Sequence, residues 1–306
     1  MNISSRTAMR ILAVSLAVTA AGASATGIRT TDARTTDARG VEFALPQPAT
    51  RIVTLAPSLA EIAFAAGAGA HVVGVSSYSD YPEAARRLPV VADYGRVNIE
   101  RLLALQPDLV LAWGSGTPAR DVARIERLGI PVLVVEPRTL ADIAGALRVV
   151  GRLAGTSSVA EQAARAFEKD VAALRSAAVG RDTDARAPSV FFEIWHAPLI
   201  TVDGKHLISE ILRLCGGRNV FADAPVLVPR IALEALLARD PAIIFTTAAP
   251  DRPAALRLWR DTPMLRAVRT GHVYTLDPNL INRQGPRVIE GARDMCSALA
   301  TARTQG

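Results

Sequence analysis

The chain has 306 residues, half of them hydrophobic and about a fifth charged, enough apolar material for one large core or two modest ones, which excludes disorder over most of its length. Its formal charge is +6, but the basic excess is spread along the sequence without a basic block, so no nucleic-acid partner is indicated.

Residues 1–25 read as an export signal. Arg6 and Arg10 supply the positive start, residues 11–19 the apolar stretch, and Ala23-Ser24-Ala25 a small-residue cleavage site after Ala25. The apolar run 11–21 is shorter than the ~20 residues a permanent span requires. The competing reading, a first helix of the domain, has against it the lack of a polar face and the polar linker that follows. No cysteine follows the signal to carry a lipid, so the mature protein is expected to be free and soluble, retained in a Gram-negative periplasm. Residues 26–47 read as a disordered leader: Thr30-Thr31-Asp32-Ala33-Arg34 is repeated at once as Thr35-Thr36-Asp37-Ala38-Arg39, polar and without apolar periodicity. The folded part is expected to begin near Pro48.

From there short β-branched runs (51–55, 72–76, 109–112, 132–135) alternate with amphipathic stretches, the pattern of a parallel sheet. This defines an N-terminal α/β lobe over 48–153. Residues 157–178 contain neither Gly nor Pro and place Ala160, Ala164, Phe167, Val171 and Leu174 at helical spacing, which predicts one long connecting helix within 154–182. The α/β pattern resumes over 183–306 in runs at 189–194, 242–246 and 272–276, closing on a helix over 288–300. The fold expected is therefore two parallel-sheet α/β lobes joined by one long helix, with a ligand cleft between them.

An internal echo links the lobes. Ile99-Glu100-Arg101-Leu102-Leu103-Ala104-Leu105-Gln106-Pro107 precedes an apolar run, and Leu233-Glu234-Ala235-Leu236-Leu237-Ala238-Arg239-Asp240-Pro241 precedes another. Each lobe thus carries a glutamate, Glu100 or Glu234, near the start of a short helix that a proline separates from a strand. An acidic first turn is also favoured by the helix dipole, so a role in each lobe's own stability competes with a role toward a partner.

No convergent set of acid, base and nucleophile is visible, and His71, His196, His206 and His272 stand singly without metal-ligand spacing. Neither a catalytic residue nor a metal site is predicted. Aromatic residues do recur at loop-like positions, in a chain only 5% aromatic: Tyr78 after a strand, Tyr94 in Asp93-Tyr94-Gly95, Trp113 at the end of another strand, and Trp195 in Glu193-Ile194-Trp195-His196. Ligands of open α/β sheets bind beyond the carboxyl ends of the strands, and aromatic faces hold flat apolar ligands. Each ring taken singly reads equally as packing; together they point to a cleft for a large planar ligand. Cys215 and Cys296, in an exported chain, are expected to pair.

These residues carry a family resemblance. Leu55-Ala56-Pro57-Ser58 with Glu61, the run Gly74-Val75-Ser76-Ser77-Tyr78-Ser79-Asp80-Tyr81-Pro82, Asn98-Ile99-Glu100-Arg101, Pro107-Asp108-Leu109-Val110 leading to Ala112-Trp113, Cys215-Gly216-Gly217-Arg218-Asn219-Val220-Phe221, and Arg283 with Gly285-Pro286-Arg287 resemble the periplasmic cobalamin-binding proteins of ABC importers. That group lies within a wider class that includes siderophore and heme receptors. The resemblance spans residues 51–299 and implies cobalamin (vitamin B12) as transported ligand, with no catalytic cofactor. It implies ligand contacts at Ser58, Tyr78, Tyr94, Trp113, Trp195, Asn279 and Arg283, and a bridge between Cys215 and Cys296. It also implies a membrane permease as partner, met by a monomeric receptor through Glu100 and Glu234. Two alternatives stand beside it: a ferric siderophore or heme receptor, in which Tyr78 or His196 would ligate iron, and an exported hydrolase.

Overall fold

The structure is a computed structural model and describes residues 34–93, 96–178 and 187–305. The export signal, residues 26–33 of the leader and Tyr94 lie outside the described residues. Residues 34–47 do not form the disordered leader expected of them. β1 (Thr35–Thr36) and β2 (Glu42–Phe43) pair antiparallel, and the Asp37 carboxylate closes their turn by accepting from the backbone N–H of Arg39 at 2.8 Å and of Val41 at 3.1 Å. Ala38 N–H donates to the carbonyl of Val134, while Leu45 and Ala49 are buried. The second Thr-Thr-Asp-Ala-Arg copy is thus ordered by side-chain to backbone hydrogen bonds, a signal that hydrophobic periodicity does not contain.

The N-terminal lobe is a six-stranded sheet of β3 (Ile52–Thr54), β4 (Val72–Ser76), β5 (Val90–Asp93), β6 (Arg96–Val97), β7 (Leu109–Trp113) and β8 (Val132–Val135), ordered β6-β5-β4-β3-β7-β8. Every pair is parallel except β5 with β6. One face is covered by α1 (Pro57–Ala65), the other by α2 (Ile99–Ala104) and α3 (Ala119–Arg127); α4 (Leu140–Leu153) joins α1. Pro57 starts α1, its fixed φ suited to the first helical position, and Ser58 to Ala63 are all buried. The start of α4 is fixed by a reciprocal cap between Thr139 and Asp142.

The connecting helix is α5 (Ser157–Ala178), and Ala160, Ala164, Phe167, Val171 and Leu174 are all buried in it. Beyond it lie β9 (Ser189–Glu193), α6 (Leu207–Leu214), β10 (Arg218–Asn219), α7 (Leu233–Arg239), β11 (Ile243–Thr246), α8 (Arg252–Trp259), α9 (Arg266–Arg269), β12 (Val273–Thr275), α10 (Pro278–Ile281) and α11 (Val288–Gln305). The second sheet is wholly parallel and ordered β10-β9-β11-β12. Counted from its own first parallel strand it repeats the first lobe's β4-β3-β7-β8, so the sequence echo is an echo of topology. Gln106 (φ 47°) and Asp240 (φ 35°), the residues before the two echoed prolines, both take left-handed backbone.

A single apolar cluster runs from Ile52 and Leu109 through the α5 stripe to Phe192, Ile211 and Leu299. The lobes therefore share a core across the connecting helix, and separate clusters fill only the outer face of each sheet. Cys215, at the end of α6, is bridged to Cys296 in α11 across 81 residues; a chain-entropy estimate for such a loop is roughly 4 kcal/mol.

Candidate functional site

Strand order reverses between β3 and β7 in one lobe and between β9 and β11 in the other, and in open α/β sheets the crevice beyond such a reversal receives the ligand. In the N-terminal lobe a pocket of about 180 Å³ opens there, lined among others by Leu55, Pro57, Tyr78, Asp93, Trp113 and Thr117. Tyr78 is 60% exposed and holds a left-handed backbone (φ 63°), rare for a bulky residue. Trp113 ends β7 and walls a second pocket of about 310 Å³, which Arg39 of the hairpin, Glu126, Glu136 and Leu227 of the other lobe also line.

The segment 277–287 of the C-terminal lobe crosses this region and ties its parts together. Asp277 caps α10 by accepting from Asn279 N–H at 2.8 Å. Asn282 Nδ2 donates to the Thr247 hydroxyl at 2.9 Å, which donates to the carbonyls of Glu193 and Ile194 at the end of β9. Gln284 accepts from the indole N–H of Trp113 at 3.1 Å. A Cβ on Gly285 would stand 3.2 Å from Glu61 Oε2 and 3.4 Å from the Ser58 carbonyl, so the lack of a side chain there lets α1 approach closely.

The main electrostatic feature is a four-membered charge cluster between the lobes. Glu61, the one charged residue of α1, has a side chain only 1% exposed, and a carboxylate so buried must be paired. Arg287 reaches it through Nη2 at 2.6 Å and Nε at 3.1 Å, and Arg283 through Nη1 at 3.2 Å. Arg283 also donates to Asp80 at 2.5 Å, to the Tyr78 carbonyl at 3.1 Å and to Asn279 Oδ1 at 2.7 Å. Arg287 stacks over the Tyr81 ring at 4.0 Å. The hydrogen bond from Arg283 holds the Asp80 carboxyl below its ordinary pKa, and Glu61 raises that of Arg287.

The structure therefore joins Tyr78 and Asn279 in one hydrogen-bonded group through Arg283, sets Trp113 against Gln284, the next residue along the chain, and buries Ser58 beside Gly285. Trp195, 58% exposed, lies just beyond β9 and donates to the carbonyl of Ala197 within its own loop. Its neighbour His196 binds the fully buried Glu193 through Nδ1 at 2.5 Å, and Trp259 Nε1 donates to the other Glu193 oxygen at 3.1 Å. Glu100 and Glu234 are exposed in the first turns of α2 and α7, apart from this group. Sequence reasoning gave no role to Asp80, Gln284, Arg287 or Glu193. The signal for the cluster was the lone charge in the apolar stretch that forms α1, which demands a distant cation.

Two α/β lobes on a shared helix, with a polar-rimmed aromatic cleft at their strand ends, define a two-lobe ligand-binding protein. The chain belongs to the periplasmic binding protein family, whose model matches residues 52–280. It is 37% identical over 258 residues to the Vitamin B12-binding protein of Pectobacterium carotovorum subsp. carotovorum, covering 84% of this chain and 90% of that one. Its fold matches the periplasmic vitamin B12-binding protein BtuF of Vibrio cholerae with a TM-score of 0.77 at 35% identity, over 84% of this chain and 98% of that one. It also matches the periplasmic heme-binding protein RhuT of Roseiflexus sp. RS-1, with a TM-score of 0.70 at 27% identity over 82% and 98% of the two chains. Among the described residues no helix is long and apolar enough to cross a membrane.

Proposed function

We propose that this chain is an exported, soluble receptor of the Gram-negative periplasm that binds cobalamin and delivers it, as a monomer, to the permease of an ABC importer. It acts as a binder and not as a catalyst. The observation that carries the reading is the pairing of Tyr78 and Trp113 on one open pocket at the β3/β7 reversal, in a chain whose relatives are vitamin B12-binding proteins. Flat aromatic faces suit the corrin ring, with Trp195 supplying a further face and Asn279 a polar group for peripheral amides. Ser58, Tyr94 and Arg283 complete the set implied by resemblance. Association costs leave only part of the gross burial as affinity.

A heme receptor is the second reading, and His196 favours it. An imidazole whose Nδ1 is held by a buried carboxylate, as Glu193 holds this one, is the arrangement metal-ligating histidines use. Titration of the purified mature protein with cyanocobalamin, heme and a ferric siderophore separates the readings. Cyanocobalamin is expected to quench tryptophan fluorescence saturably, and Trp113→Ala to weaken its binding by about 1–3 kcal/mol. A heme spectrum shifted by the protein and dependent on His196, without cobalamin binding, would overturn the proposal.

A further inference from the structure

Arg283 is implied by resemblance as a ligand contact, yet its hydrogen-bond inventory is nearly exhausted within the protein. A guanidinium has five N–H donors, four of them on the two Nη atoms. Nη1 serves Glu61 and Asp80, and Nη2 serves the Tyr78 carbonyl and Asn279. Its side chain is 11% exposed. With Arg287 it forms a set of two cations and two carboxylates, Glu61 and Asp80, whose charges balance and so do not draw an anionic group of the ligand. Three of its four acceptors belong to the N-terminal lobe, and one is the carbonyl of Tyr78, the aromatic residue with left-handed backbone.

We infer that Arg283 is a positioning residue: from the C-terminal lobe it latches the 77–80 turn of the N-terminal lobe, so that the Tyr78 ring is presented to the ligand in a preformed cleft. The inference rests on the cobalamin reading for its ligand, but the latch is a property of the free protein. A residue that acts through Tyr78 loses its effect once the Tyr78 ring is gone, whereas a residue that touches the ligand loses affinity independently.

Two measurements test it. In hydrogen–deuterium exchange of the ligand-free protein, Arg283→Gln is expected to speed exchange several-fold in the peptide covering 76–82, where Ser79 and Asp80 N–H groups bond to Ser76 and Tyr78 carbonyls. If the Gln variant does not fold, Arg283→Lys, which keeps the charge but cannot span four acceptors, takes its place. In the second measurement, cyanocobalamin affinity is compared among wild type, Arg283→Gln, Tyr78→Asn and the double variant, Asn being tolerant of left-handed backbone. Each single change is expected to weaken binding about tenfold or more, and the double variant to be no more than about twofold weaker than Tyr78→Asn. Wild-type exchange in the 76–82 peptide, or losses that multiply in the double variant, overturns the inference. Failure of wild type to bind cobalamin would instead sink the ligand reading, leaving the exchange result to decide the latch.

Discussion

His206 shows how one buried side chain ties stability to pH. It caps α6 by accepting from Ile208 N–H at 3.1 Å through Nδ1, a bond that only the unprotonated ring can accept. Burial lowers its pKa from 6.5 to about 4, against a smaller opposing pull from Asp203. The unfolded chain therefore takes up the proton first. The stabilisation is complete above about pH 6.5 and is lost as pH falls toward 4, by on the order of 3 kcal/mol in all. Urea unfolding from pH 7 to pH 4 is expected to show this slope in wild type and to lose it in His206→Asn, which keeps an acceptor at the cap but cannot titrate. At this scale the sequence was legible where a residue's place is carried by its own neighbourhood: Tyr78 follows β4 and Trp113 ends β7, and both line one pocket. The partners of Arg283 were not legible, because Glu61 and Asp80 lie 222 and 203 residues away and no local pattern encodes such a pairing.

Among the elements, α5 was readable because its five apolar residues keep one helical stripe over the full length of the buried face, while the hairpin β1–β2 was not, because its order comes from Asp37 and not from periodicity. The packing of α4 on α5 adds what periodicity also leaves out, namely how closely two helices approach. A Cβ on Gly151 of α4 would stand 2.1 Å from the Cβ of Ala160, whereas one on Gly145 of the same helix would meet nothing within 4 Å. Replacing Gly by Ala in a helix gains up to about 1 kcal/mol from propensity. At Gly151 the clash is between backbone-attached atoms that no rotamer change relieves, so overpacking of about 1–3 kcal/mol outweighs that gain. Gly151→Ala is expected to lower the denaturation midpoint and Gly145→Ala to raise it. Equal shifts in the two variants would show that the helices move apart at little cost.

The whole molecule is two copies of one strand order, β4-β3-β7-β8 and β10-β9-β11-β12, on a shared core. Glu100 opens the helix before β7 and Glu234 the helix before β11, so the two carboxylates occupy corresponding positions in the two halves. The core that runs through α5 joins the two halves that carry the pair, and two charges at corresponding positions can orient such a body on a membrane partner carrying matching basic pockets. Charges at an interface act chiefly through orientation and association rate, so this proposed docking role separates cleanly from ligand binding. The competing role, complementing the helix dipole, is worth about 0.3–1 kcal/mol at each helix and affects no partner. The double variant Glu100→Arg, Glu234→Arg is therefore expected to bind cobalamin with near wild-type affinity, yet to stimulate the ATPase activity of a reconstituted importer poorly and to support little uptake. If the folded double variant delivers cobalamin at the wild-type rate, the two glutamates serve their own helices and the docking surface lies elsewhere.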